Sequence, residues 1–335
     1  MKKITFYTKP FINNQVFDLS DPIANINNFA YPHWKLKDTF AKEGFDLSTQ
    51  DIISIDQAEA VLYNDMPKKS PRKDEIDKSY LMLFECNVIK PRNWLLEKHK
   101  LFKKIFTWDD RLVDNKKYFK INFSHLFPKS INKDIKHKKS LCTLIAGNKY
   151  FKHPLELYSK RIEAIRWFEK NHPNDFDLYG TRWNEYRFGH GFIGKPLNKI
   201  KSLRKENNYP SYKGKVEVKK EVLEKYKFAI CYENARDIPG YITEKIFDCF
   251  FAGCVPVYWG ANNITDYIPE NCFIDKRKFD SYEELYSYMT SMSDQKYLEY
   301  LNNIEKYLNS DKIKPFTAEY FAETITQEII KDLDN

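Results

Sequence analysis

Residues 226–260, YKFAICYENARDIPGYITEKIFDCFFAGCVPVYWG, constrain the fold of this chain more than any other stretch. Phe228-Ala-Ile-Cys-Tyr232 is an apolar run short enough to be a strand buried on both faces of a sheet. The densest polar loop in the sequence follows, Glu233 to Gly240. Thr243 can cap a helix begun by Glu244 and Lys245. Ile246, Phe247, Phe250 and Phe251 give that helix a buried face. Gly253 stops it, and Val255 to Trp259 reads as the next buried strand. A strand–loop–helix–strand unit of this kind belongs to an open α/β sheet, where ligands bind at the carboxyl ends of strands. The helix N-terminus favours an anion through its free N–H groups and dipole. A lysine in the first turn opposes that dipole, and an anionic ligand at Lys245 explains it.

At 335 residues the chain exceeds the usual size of one hydrophobic core, so two domains are expected. With 42% hydrophobic and 30% charged residues it is a globular rather than a disordered chain. Its formal charge of +8 suits nucleotide phosphates or an anionic lipid or lipopolysaccharide surface. No nucleic-acid partner is expected. The six cysteines show no metal-binding spacing, and several fall in apolar segments, as buried thiols do in a reducing cytosol. Met1-Lys-Lys-Ile-Thr-Phe-Tyr runs straight into a strand without a leader's apolar region, and no apolar run approaches the ~20 residues of a membrane span. The expected location is cytoplasmic, including the inner face of the cytoplasmic membrane.

Strand-like segments occur at residues 2–8, 52–55, 60–63, 80–84 and 105–108, with a helix-like pattern at 34–45 and a short helix over 93–104. Residues 64–79, rich in Lys, Pro and Asp, read as an exposed loop. The basic stretch 129–139 reads as an interdomain linker, and 195–220 as a mobile loop. Leu141 begins a second α/β half, with a helix over about 155–170 and a strand at 176–179 turning at Gly180-Thr181-Arg182. Helices follow at 283–292 and 295–308. The boundaries are thus 1–135 for an N-terminal domain, 136–315 for a C-terminal domain, and 316–335 for a final helix able to pack back on the first domain. Strands alternating with helices in both halves imply two doubly wound domains facing a cleft.

The central stretch resembles the donor-binding motif of the α-1,3-fucosyltransferases, glycosyltransferase family 10, in its bacterial form. The matching residues are Glu233-Asn234, Tyr241-Ile242-Thr243-Glu244-Lys245, Ala252-Gly253, Pro256-Val257 and Gly260, with Ile268-Pro269 and Phe273-Ile274 beyond. Phe176 to Gly180 with Arg182 is similar to the family's strand and phosphate-facing arginine, and Ala146-Gly147-Asn148 and Arg161 match more loosely. Phe84-Glu85-Cys86-Asn87 resembles the segment that carries the family's base, although Phe84 stands where a glycine is common and Cys86 intervenes before Asn87.

The resemblance implies a GT-B fold, two Rossmann-like doubly wound domains facing a central cleft. It implies GDP-fucose on the C-terminal domain, an acceptor glycan on the N-terminal domain, and transfer with inversion. A carboxylate general base would deprotonate the acceptor hydroxyl, and Glu85 is the candidate. Diphosphate departure needs fixed positive charge, for which Arg182 and Lys245 are candidates. Glu244 would take ribose hydroxyls, and Asn234 and Tyr241 would line the donor. Each also has a plainer reading: Glu85, Arg182 and Glu244 as solvated or helix-end charges, Asn234 as a loop cap, Tyr241 as packing. Arg236 and Asp237 read as a brace within the loop. Asp109-Asp110 invites a metal, but adjacent carboxylates diverge, so no metal ligand and no required cofactor are expected, a divalent metal being at most stimulatory. Trp34 and Trp94 are candidates to stack on sugar. Another GDP-deoxysugar donor, or binding of a nucleotide sugar or glycan without turnover, remain the alternatives.

Overall fold

A computed structural model describes residues 1–185 and 208–334. Two parallel six-stranded sheets form its frame. The first contains β1 (Lys2–Tyr7), β2 (Phe45–Thr49), β3 (Ala60–Asn64), β4 (Ser79–Leu83), β5 (Lys104–Thr107) and β6 (Tyr118–Lys120), in the order β2-β1-β3-β4-β5-β6. Consecutive side chains of its central strands enter opposite cores. Leu62, Tyr80 and Met82 point to one layer and Val61, Leu81 and Leu83 to the other, as expected for strands buried on both faces. Phe45–Thr49 is a strand, not the end of a helix; α1 (Tyr31–Lys42) stops three residues earlier, and Gly44 at φ +84° makes the turn. Residues 52–55 form a turn instead of a strand. The 93–104 helix is shorter than expected, a 3-10 turn at Pro91–Trp94 and α2 (Leu96–His99).

The second sheet contains β7 (Ser140–Ile145), β8 (Phe176–Tyr179), β9 (Tyr212–Gly214), β10 (Tyr226–Tyr232), β11 (Val255–Trp259) and β12 (Ile274–Asp275), in the order β12-β11-β10-β7-β8-β9. Around it lie α3 (Tyr158–Asn171), α4 (Lys219–Leu223), α5 (Glu244–Phe251), α6 (Tyr282–Ser291) and α7 (Asp294–Leu308). Of the 195–220 segment, 195–207 lies outside the described residues; the remainder contains the edge strand β9 and the start of α4. The 129–139 linker is docked, not loose. Asn132 packs so closely on Gly253 that a Cβ there would lie 2.0 Å from its carbonyl oxygen, and Ile131 joins the second core.

The last helix, α8 (Ala318–Leu333), returns to the first domain. Phe321, Ala322, Ile325 and Ile329 close the core beneath β1, β3 and β4 and pack with α1. Lys104 pairs with Glu328 at 2.7 Å, and Tyr80 donates to Asp332 at 3.1 Å. The carboxyl ends of the central strands of both sheets converge on one cleft, where Trp108 of the first domain meets Tyr241 of the second with ring centroids 4.6 Å apart.

Candidate active site

The β10–α5 connection is built on a buried carboxylate. Glu233, the first residue after β10, is fully buried. It accepts from the Thr243 N–H at 2.8 Å, the Thr243 hydroxyl at 2.7 Å and the Lys245 ammonium at 3.2 Å. Thr243 also caps α5, its Oγ1 accepting from the Lys245 N–H. Lys245 is therefore not the unpaired first-turn cation that the sequence suggests. It has Glu233 on one side and Glu244 at 3.5 Å on the other. Burial alone would lower its pKa, but those two carboxylates outweigh burial and raise it, so the ammonium is permanently charged. Burial likewise opposes ionisation of Glu244, yet Lys245 and Lys219 hold its carboxyl well below the usual range. Lys219 in turn pairs with Asp248 at 2.7 Å. The helix N-terminus thus presents fixed charges of both signs, an arrangement that can bind phosphate at the ammonium and hydroxyls at the carboxylate.

Arg161 of α3 adds a third cation. It is buried and donates to the Tyr232 carbonyl at 2.6 Å and to Asn234 Oδ1 at 3.1 Å, with its guanidinium 4.7 Å from the Tyr158 ring. Arg161, Lys219 and Lys245 line one small pocket at the ends of β7 and β10. Asn234 holds the loop: its carbonyl accepts from Leu157, and its side chain joins Arg161 to the Tyr241 hydroxyl at 3.4 Å. Tyr241 is buried and packs with Cys86, Val88 and Trp108 of the first domain, so it pins the two domains together. Arg236 and Asp237 form an ion pair within the loop, and Arg236 also donates to Pro154.

Glu85 lies beyond the carboxyl end of β4, half-buried, and faces this assembly across the cleft. Burial first, and then Asp65, push its carboxyl above the ordinary range; Lys149 and Lys245 of the opposite domain pull the other way. Its main chain is held firmly. Asp65 Oδ1 accepts from the N–H groups of Phe84 at 2.8 Å and Glu85 at 3.2 Å and from Asn93 Nδ2 at 2.7 Å. The Glu85 carbonyl accepts from Asn93 at 3.1 Å and from the Trp94 indole at 3.0 Å. Trp94 thus braces the backbone and packs on Trp108 with centroids 5.0 Å apart. The 64–79 segment is only partly an exposed loop, since Asp65 to Pro67 are folded into this site and Lys73–Lys78 is a 3-10 turn. Sequence reading did not single out Asp65, and it placed Glu233 in the motif without giving it a role. Position immediately past a buried strand is the one signal that both carry.

Arg182 follows Gly180, where a Cβ would collide with the Ala146 carbonyl at 1.8 Å. Arg182 itself has φ +70°, a left-handed conformation unusual for arginine. It is exposed, its carbonyl accepting from Asn148, and it makes no ion pair among the described residues. Asp109 and Asp110 diverge. Asp109 is buried in a fork with Arg111, whereas Asp110 takes Lys120 at 2.5 Å and, from the second domain, Asn263 at 2.9 Å and Tyr267 at 2.5 Å. Among the described residues no group of three or more His, Cys, Asp or Glu side chains could hold a metal ion. All six cysteines are buried and free. Trp34 lies on α1 in a separate groove with Asn14, Asp18 and Lys37. His125 is half-buried against Phe247, and desolvation lowers its pKa to about 4; His190 lies outside the described residues. No described helix is long and apolar enough to cross a membrane.

Comparison with known proteins finds fucosyltransferases by sequence and several kinds of glycosyltransferase by fold. Residues 194–326 match the family model of the glycosyltransferase family 10 (fucosyltransferase) C-terminal domain. The α-(1,4)-fucosyltransferase of Arabidopsis thaliana is 41% identical over 69 residues, 21% of this chain and 17% of that enzyme. The α-(1,3)-fucosyltransferase FucT of Helicobacter pylori is 34% identical over 81 residues, 24% of this chain and 17% of that enzyme. The matched segments therefore span about a sixth of the length of these relatives. In three dimensions, an α1,3-fucosyltransferase crystallised with GDP-fucose aligns over 99% of this chain and 89% of its own, with a TM-score of 0.54 and 14% identity. An α-glucosyltransferase in complex with UDP and DNA aligns over 98% of this chain and 99% of its own, with a TM-score of 0.56 and 11% identity. At such identities these likenesses speak to the fold, which is GT-B with two Rossmann-like domains. Residues 194–326, which contain Asn234, Tyr241, Glu244 and Lys245, are thus similar to the C-terminal domain of the glycosyltransferase family 10 fucosyltransferases.

Proposed function

We propose that this protein transfers L-fucose from GDP-β-L-fucose to a hydroxyl of an acceptor glycan, a GlcNAc-type sugar of an O-antigen, lipopolysaccharide or Lewis-like epitope, with inversion at the anomeric carbon. One observation carries the reading. A carboxyl with a raised pKa, Glu85, stands on one domain and feels the charge of Lys245 on the other. A group-transfer site needs that separation: a proton acceptor on the acceptor side and fixed positive charge on the leaving-group side. In this mechanism Glu85 takes the proton as the acceptor oxygen attacks. Lys245, with Arg161 beside it and Arg182 elsewhere on the same domain, neutralises the diphosphate as the glycosidic bond breaks. Glu244 accepts from ribose hydroxyls. Asn234 and Tyr241 shape the donor loop, Tyr241 from behind it. The chemistry requires no metal, because the cations occupy the role that a divalent ion would play at the diphosphate.

The test is GDP release from GDP-fucose with a panel of acceptor oligosaccharides, comparing the native chain with Glu85→Gln. The variant should bind GDP normally and lose transfer by a factor of at least about 100, the range of general base catalysis. Full transfer by Glu85→Gln would refute the assignment. Turnover with a different GDP-deoxysugar and none with GDP-fucose would change the donor and keep the mechanism. Normal GDP binding with no turnover for any donor would make the chain a binding protein.

A further inference from the structure

Three neighbouring strands of the first sheet, β1, β3 and β4, each send a cation from the loop at their carboxyl end: Lys9, Lys68, and Lys90 with Arg92. These loops are tied to one another and to Glu85. Asp65, three residues before Lys68, binds the backbone of Phe84 and Glu85, and the Met66 N–H donates to Asn93, next to Arg92, at 3.0 Å. Lys90 reaches Asp65 at 3.6 Å. On the β1 side, Gln50 accepts from the Thr8 N–H at 3.0 Å and donates to its carbonyl at 2.7 Å, fixing the chain beside Lys9. The four cations therefore stand together at the carboxyl ends of neighbouring strands, the end of the sheet that also carries Glu85.

Their charge is not balanced. Lys9, Lys68 and Arg92 make no ion pair among the described residues, and the buried Arg92 Nε has no hydrogen-bond partner. Asp65, the one carboxylate paired with this group among the described residues, is already committed to three N–H donors. Desolvation, and then repulsion from Lys68, Lys90 and Arg92, lower the pKa of the Lys9 ammonium, so the four lie within range of one another's fields. Like charges held together by main-chain bonds cost stability unless an anion relieves them.

The geometry points to an anion-binding subsite for the acceptor: Lys9, Lys68, Lys90 and Arg92 receive a carboxylate or phosphate substituent of the glycan whose hydroxyl is presented to Glu85. This rests on the proposed function in one respect, that the acceptor lies on the first domain. The substrate class narrows accordingly, from glycans in general to acidic ones. A neutral acceptor would leave the cation cluster facing water.

The experiment is calorimetric titration of the full chain, saturated with GDP, with neutral N-acetyllactosamine and two derivatives, one sialylated and one carrying a phosphate monoester. An acidic derivative should bind at least about fivefold more tightly than the neutral parent, the order expected for one or two exposed charge contacts. Whichever of the two gains more identifies carboxylate or phosphate as the group recognised. Lys9→Ala/Lys68→Ala, at two exposed positions, should abolish that preference while leaving GDP affinity unchanged, and salt at about 0.5 M should weaken it. Equal affinity for all three sugars, binding by none, or a preference that survives the double substitution would overturn the subsite. A preserved acidic preference without transfer from GDP-fucose would instead overturn the proposed reaction and leave the subsite standing.

Discussion

Replacing Glu233 with glutamine removes one negative charge from a fully buried position while keeping its shape. The carboxylate accepts three bonds, from the Thr243 N–H, the Thr243 hydroxyl and the Lys245 ammonium. Breaking a buried ion pair from one side costs about 3–5 kcal/mol. Two features reduce that figure here. The Lys245 side chain is 23% exposed, and Glu244 remains at 3.5 Å. A glutamine carbonyl can also still accept from the Thr243 N–H. The expected loss is therefore about 2–4 kcal/mol. For a domain of this size each kcal/mol lowers Tm by about 2–4 °C, so Glu233→Gln should melt roughly 4–16 °C below the native chain. A double-mutant cycle separates the pair from the cap. Lys245→Met alone leaves Glu233 without its counter-charge, so the double variant should lose less than the sum of the two singles, by about 1.5 kcal/mol or more. Thermal and urea unfolding, followed by circular dichroism, measure both quantities. Additive losses in the cycle, or a Tm for Glu233→Gln within a degree of the native value, would refute the claim that this carboxylate sets the position of Lys245.

Asp65→Asn keeps the acceptor for the Phe84 and Glu85 N–H groups but removes a charge that raises the Glu85 pKa after burial. The acid limb of the kcat/KM profile should move to lower pH, and an unmoved limb would separate Asp65 from the base. Glu244 has its folded pKa depressed, so its contribution to stability is present above about pH 4.5 and is lost as pH falls through the folded value. Glu244→Gln should therefore flatten the stability–pH curve below about pH 4.5, read from urea midpoints between pH 7 and 3. A Cβ at Gly240, where φ is +78°, would lie 2.2 Å from the Trp108 carbonyl oxygen. Gly240→Ala should cost at least about 1–3 kcal/mol, with the loosening of the interdomain contact visible as faster proteolysis between the domains.

Much of the donor half is legible from residue order. The apolar run of β10, the threonine cap and the paired phenylalanines of α5 are local signals, and the observed elements follow them closely. The site residues that escaped notice are those whose meaning comes from distant partners. Asp65 acts on residues 19 to 28 positions away, and nothing in its own loop distinguishes it from its lysine- and proline-rich surroundings. Glu233 sits in plain view, but its burial depends on β11 and α5 closing over it, so its role as a counter-ion is a tertiary fact. The same blindness misplaced β2. FDLST alternates too weakly to announce a strand, and only its pairing with β1 makes it one.

The return of α8 has a consequence for how the molecule can be divided. The first domain is discontinuous: its core needs residues 2–120 and also Phe321, Ala322, Ile325 and Ile329, with the whole second domain inserted between them. Two covalent crossings therefore join the halves, one through residues 121–139 and one through residues 309–317. A single nick in either crossing would not release a domain, and a fragment ending near residue 135 would expose the apolar floor that α8 covers. Two tethers also limit the relative motion of the halves. A single tether allows swivel and twist, whereas a pair defines an axis, so opening of the cleft should follow one arc.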